Sequence, residues 1–263
     1  TSLDNPMQTN VDEQGSCNAN YGGGSINFFA EGNGCHSMAK IGDVVYHEYG
    51  HGINDYRYGN NGMWNGALNE GYADVWGLSI TQNPILGLGM SLTDPNDFVR
   101  RYDINKKIYP QDLTGQVHAD GEIIAGAWWD TYLGFNNMSQ MMDLFKYTYD
   151  GAPDGPGGTE GIIYTDILLE ALMADDNDGN IYNGTPNDQL IVDAFAIHGI
   201  SLLSNANINH NQIMTAQVNN DIQVNVSIAL TYAWALTNAK VLYKVNNLTT
   251  WNTITLSSAG GTS

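Results

Sequence analysis

Residues 44–53 read VVYHEYGHGI, and eighteen residues after His51 the segment NEGYAD begins. This pairing constrains the fold more than any other feature of the chain. On an α-helix, residues four apart are separated by about 40° around the axis, so His47 and His51 present both imidazoles to one point. Glu48 lies beside that point, near enough to hold a water there. Glu70 falls on a second helical run, ALNEGYADVWGLSI, and Asp74 sits one turn later on the same face. A single ion held by His47, His51 and Glu70 ties the two runs together.

That arrangement has a definite chemistry. A catalytic zinc takes three protein ligands and keeps a fourth position open, and Glu70 supplies the carboxylate. Asp74 is placed to accept the free ring N–H of a ligating histidine. The plainer alternative is a pair of surface histidines and a solvated acidic helix face. Apolar neighbours Leu68, Tyr72, Ala73, Val75 and Trp76 argue against a solvated face. A structural zinc would instead be closed by a fourth protein ligand, and would have no reason to keep Glu48 beside it.

Composition narrows the partners. Nine Lys and Arg against 28 Asp and Glu give a formal charge of -19, which repels nucleic acid and anionic membranes and favours cations, calcium among them. No run of eighteen apolar residues is present, so no membrane-spanning helix is predicted. The opening TSLDNPMQTN has neither a basic start nor an apolar stretch, and the expectation is a processed or truncated piece of a longer precursor. Cys17 and Cys35 flank a segment that reads as two short strands around a glycine turn. A disulfide between them is expected, and with it an oxidising compartment; the alternative is two buried thiols.

The pattern along the chain predicts an α+β fold. A Gly- and Asn-rich start with short strands gives way at Ile41 to helical runs that continue to about residue 200. After His198 and Gly199, Val, Ile, Thr and Tyr alternate with polar residues, the signature of half-buried strands. Two parts are expected, a catalytic domain over 1–203 and a partial β-sandwich-like module over 204–263, too short for seven strands. Within the acidic loop DDNDGN, Asp175, Asp176 and Asp178 offer oxygen ligands suited to calcium. The loop does not fit the EF-hand frame, in which position 12 would fall on Thr185, and an Asp/Asn/Gly turn is the alternative. His36, His198 and His210 have no partner spacing and read as structural.

HEYGH followed by NEGYAD resembles the gluzincin metallopeptidases, above all their fungalysin and thermolysin-like members, and the likeness covers most of residues 17–200. NANY at 18–21 is similar to the edge strand that binds peptide substrate there, which implies substrate contacts at Asn18 and Ala19. VHADGEIIAGAWWD resembles the segment carrying a later catalytic histidine, here His118, expected to donate to the oxyanion. DDNDGNIYNGTPND followed by AFAIHGI also looks fungalysin-like. The resemblance implies a thermolysin-like catalytic unit, with a β-rich start, a zinc-binding helix and a mainly helical remainder. It further implies a secreted zinc endopeptidase acting on protein or peptide substrates, Glu48 as general base, a propeptide in the precursor and a missing N-terminal subdomain. One of Arg100 and Arg101 would donate to a substrate carbonyl, unless the two only form salt bridges. A carboxylate would orient His118, and the sequence leaves Asp112 and Glu122 equally open.

Two departures stand out. The eighteen-residue gap with LNEGYA equally resembles the one-unit aminopeptidases of the group, but GGGSINF does not supply their Gly-x-Met-Glu-Asn motif. A zinc aminopeptidase is therefore the second reading, and a non-catalytic adhesion module with a structural metal the third. The oxyanion tyrosine of thermolysin-like enzymes falls near Asn61, so that role is unassigned.

Overall fold

A computed structural model describes residues 5–59, 63–244 and 250–258; Asn61 lies outside them. Every helical run read from the sequence forms a helix: α1 (Gly42–Tyr58), α2 (Gly66–Thr81), α3 (Val117–Phe135), α4 (Met138–Gly151), α5 (Glu160–Asp175) and α6 (Asp188–Ile197). Ahead of them stand β1 (Gln8–Glu13), β2 (Ala19–Gly22) and β3 (Ser25–Phe29). The fold is mixed α+β. None of the described helices is long and apolar enough to cross a membrane.

The three strands form one sheet in the order β1-β3-β2, with β1 parallel and β2 antiparallel to β3. Gly23 and Gly24 sit at φ +60° and +80°, so both central residues of the β2–β3 turn are left-handed. This turn matches the right-handed twist of the strands it joins. Cys17 and Cys35 are disulfide-bonded across this hairpin, as the spacing predicts. Ile26, Phe28, Met38 and Val44 pack with Cys35 into a small core that seats the sheet on the start of α1. β2 remains the sheet's edge.

Three helices then meet at unusually short range. A Cβ added at Gly50 of α1 would lie 2.8 Å from Ala73 Cα of α2. One added at Gly121 of α3 would lie 2.7 Å from Ala67 O and 2.9 Å from Gly71 N, both on α2. Glycine at these positions lets backbone touch backbone, so α1 and α3 clasp opposite sides of α2 around Glu70. The start of α2 is fixed by Asn65, whose side chain accepts from Leu68 N–H at 2.8 Å, while its own amide group donates to Glu160 at 3.1 Å. Farther along, Trp128 of α3 packs edge-on against Phe145 of α4 and Phe195 of α6 at 5.3 and 5.4 Å between ring centroids.

His198 is a buried structural histidine. Its ring lies 2.9 Å from Asp130 on one side and 2.8 Å from Lys107 O on the other. His36 pairs with Glu31 at 3.0 Å, and His210 lies on an exposed strand.

The chain divides into two compact units, 1–175 with 187–202, and 176–186 with 203–263. The loop 176–186 thus joins the second unit, which a division into 1–203 and 204–263 does not include. Within that unit Trp234 donates to Ile181 O at 3.0 Å, and Tyr182 stacks on Tyr232. Its strands β6 (Ala206–His210), β7 (Val226–Leu230), β8 (Lys240–Tyr243) and β9 (Asn252–Thr255) form two separate antiparallel pairs. β7 alternates half-buried and exposed residues as expected, whereas β6, β8 and β9 are mostly exposed, as Ile208, Leu242 and Ile254 show. The alternation correctly marks strands, but two-stranded hairpins are too narrow to cover a whole face.

Gly50→Ala tests the helix contact. Alanine improves helix propensity by about 1 kcal/mol, yet the overpacked Cβ should cost about 1–3 kcal/mol. A lower melting temperature by calorimetry is expected, and an unchanged or higher one would show that the contact yields freely.

Candidate metal centre

His47 and His51 project from α1 one turn apart, and Glu70 meets them from α2. His47 Nε2 lies 3.1 Å from His51 Nε2 and 3.4 Å from Glu70 Oε2, and His51 Nε2 lies 3.6 Å from Glu70 Oε1. Among the described residues these three form the one group of His, Cys, Asp and Glu whose ligand atoms all lie within 4.8 Å of one another. Glu70 Oε2 is buried with no hydrogen-bond partner. Two imidazole nitrogens and an unsatisfied carboxylate oxygen converging on one point fit a divalent cation that takes N and O ligands.

The tautomer of His51 can be traced through the core. An indole N–H only donates, and Trp76 Nε1 donates to the Tyr149 hydroxyl at 2.9 Å. That hydroxyl passes its own hydrogen to Asn54 Oδ1 at 2.7 Å, which turns the Asn54 amide towards Asn69 Oδ1, also at 2.7 Å. Asn69 Oδ1 is therefore an acceptor, and His51 Nδ1, 2.9 Å away, must donate to it. The lone pair of His51 is left on Nε2, facing the centre.

His47 is governed by Asp74. Its Nδ1 lies 2.6 Å from Asp74 Oδ1, outside hydrogen-bond alignment, on a carboxylate with no exposed surface. Arg100 grips the same carboxylate with both Nε (2.8 Å) and Nη2 (2.7 Å), and the Tyr102 hydroxyl donates to it as well. Burial by itself would raise Asp74, but Arg100 and His47 hold it well below the usual carboxylate range. Burial likewise opposes charge on His47, yet Asp74 and Glu70 hold its ring up at about 10, while burial and the neighbouring His47 charge take His51 down to about 4. Binding of a cation at His47 Nε2 must therefore release a proton.

Glu48 stands apart from the three ligands but lines the same cleft. Burial pushes its carboxyl up to about 7, and its Oε2 has no partner in the protein. His118, in the first turn of α3, brings Nε2 to 3.4 Å from Glu70 Oε1. The cleft, of about 760 Å³, is also lined by Asn18 and Ala19 of the edge-strand segment and by Val44, Leu86, Met90, Phe98 and Val99.

The packing around three sets of residues bears on the roles expected of them. Arg100 lines the cleft but its guanidinium is held by Asp74; Arg101 does not line it and pairs with Asp103 at 2.6 Å. Both arginines are thus salt-bridged, because each has a carboxylate within bidentate reach. Neither Asp112 nor Glu122 orients His118. Asp112 accepts from Ile108 N–H at 2.8 Å, Glu122 lines a separate small hollow with Lys107 and His198, and Gln116 faces the His118 ring. In the acidic loop Asp176 accepts from Asp178 N–H, Asp178 from Asn180 N–H and the Asn183 amide, and Asp175 from Asn187. These are the bonds of an Asp/Asn/Gly turn, and among the described residues the three aspartates do not form a convergent group of metal-ligand atoms.

No motif or ligand spacing singles out Asn54, Asn69, Tyr102 or Gln116 in the sequence. Asn54 carried a usable signal, since asparagine is a poor helix former in mid-helix, and here it is fully buried one turn beyond His51. The chain matches no known protein-family model, and no curated protein matches it.

Asn69→Ala should leave all three ligands in place but weaken cation binding by about 10–100-fold. Competition against a chelating indicator measures this, and unaltered affinity would mean that the Trp76-to-His51 chain does not control the ligand.

Proposed function

We propose that this chain is a zinc-dependent endopeptidase of the gluzincin kind, similar in its site to the fungalysin and thermolysin-like enzymes, and that it works outside the cell on protein or peptide substrates. The observation that carries the reading is Glu48, a buried carboxylate beside three convergent ligands but not among them. A closed structural site would have no use for it. The Cys17–Cys35 disulfide supports an oxidising compartment.

His47 Nε2, His51 Nε2 and Glu70 would hold the zinc, a His₂Glu set that suits this ion. When bound, zinc supplies Lewis-acid chemistry, polarising a peptide carbonyl and acidifying water. Glu48 then serves as general base, taking a proton from the attacking water on a carboxylate oxygen and delivering it to the leaving nitrogen. With its carboxyl pushed up towards neutrality, Glu48 can both accept and return that proton. His118 donates from Nε2 to the oxygen on which negative charge develops. Substrate would lie extended along the edge strand β2, past Asn18 and Ala19, with its backbone pairing to the free edge. The apolar wall of Val44, Leu86, Met90 and Phe98 suits an apolar substrate side chain.

Glu48→Gln is the direct test, with an internally quenched peptide blocked at both ends and a free aminoacyl amide as the two substrates. The zinc-loaded chain should cut the blocked peptide, and the variant should keep its zinc while losing about 10²–10⁴-fold in rate. Turnover of the free amide alone would make this an aminopeptidase. No turnover of either substrate would overturn the enzymatic reading.

A further inference from the structure

His118 is oriented without a carboxylate, and the bonds around it fix which nitrogen carries the proton. We infer that Gln116 is a positioning residue that holds the His118 ring with its hydrogen on Nε2, aimed at the reacting oxygen. The inference rests on the proposed peptidase reaction for its catalytic consequence, but not for its structural content.

A backbone N–H is a donor that cannot be reassigned. The backbone N–H of Ala119 donates to Gln116 Oε1 at 2.7 Å. With the carbonyl oxygen so placed, the other end of the Gln116 amide is the NH₂ group, 2.6 Å from His118 Nδ1. An NH₂ group can only donate, so Nδ1 must present its lone pair. The ring hydrogen then sits on Nε2, which points at Glu70 Oε1 3.4 Å away. A carboxylate in the same place would instead accept from a hydrogen on Nδ1.

Position 116 shows the same duty in its residue type. Gln116 is the N-cap of α3, and it caps through its side chain. Asparagine, aspartate and serine are the favoured caps because a short side chain suffices. Glutamine is one methylene longer than asparagine, and the added length lets a single amide cap Ala119 with its oxygen while reaching the His118 ring with its nitrogen. Helix cap and histidine tautomer are set by one planar group. His118 is half exposed, with 49% of its side-chain surface open.

The test uses Gln116→Glu, which keeps the length and the capping oxygen and so leaves α3 in place, but removes the donor. In the ¹⁵N-histidine-labelled 263-residue chain, with the His118 signals identified by their absence from His118→Gln, ring nitrogen shifts report the proton's position. Wild type should show a bare Nδ1 and a protonated Nε2, and Gln116→Glu should place a proton on Nδ1. On the blocked peptide that variant should lose about 10–100-fold in kcat, with KM nearly unchanged. A wild-type ring protonated at Nδ1, or a ring unchanged by Gln116→Glu, overturns the inference. So does a tautomer change with no loss of kcat in a chain that cleaves the peptide. Should wild type cleave nothing, the peptidase reading fails while the ring shifts still decide what Gln116 does.

Discussion

Glu70 can meet three histidines from two other helices because α2 is approached backbone to backbone on both sides. Gly50 admits α1 against Ala73, and Gly71 and Gly121 admit α3. A methyl group at any of these contacts would push the helices apart by a fraction of an ångström or more. Ligand distances about a metal tolerate little of that. The centre is therefore a property of helix spacing first and of ligand identity second.

The second constraint is electrostatic. Asp74 is an ionised carboxylate with no exposure, and burying such a charge alone would cost several kcal/mol. Arg100, Tyr102 and His47 surround it, and the contacts of Arg100 and His47 also perform a positional task. Arg100 ties the short strand β5 (Arg100–Arg101), which pairs with β4 (Ile85–Leu86), to the back of the site. His47 is turned so that Nε2 faces Glu70. Arg100, one of the two arginines expected at the substrate, is thus needed by the protein itself, because removing it would leave Asp74 without its main compensating charge. Glu48 is the opposite case, a buried carboxylate whose second oxygen the protein leaves without a partner.

Much of this was legible in the residues. The i, i+4 histidines with Glu70 and Asp74 gave four members of the centre, because helical period alone decides which side chains share a face. The disulfide and its hairpin were legible for the same local reason, two strands meeting at Gly23-Gly24. Gln116, Asn69 and the loop 176–186 were not, since each matters through partners set by tertiary packing. His118 shows the limit most clearly. It lines the cleft, yet the group facing its ring is an amide two residues away rather than a carboxylate. In the second unit the alternation matches the burial of β7 but not of β6, β8 and β9, because alternation reports a two-faced strand without reporting whether anything covers the inner face.

The central claim is that His47, His51 and Glu70 hold a single zinc with Glu48 beside it. Anomalous diffraction at the zinc absorption edge, from crystals of the zinc-loaded chain, tests it most directly. The account predicts one peak about 2.0–2.2 Å from His47 Nε2, His51 Nε2 and a Glu70 oxygen, with no fourth protein ligand. A peak elsewhere, a fourth protein side chain closing the site, or no peak between these three residues would contradict it.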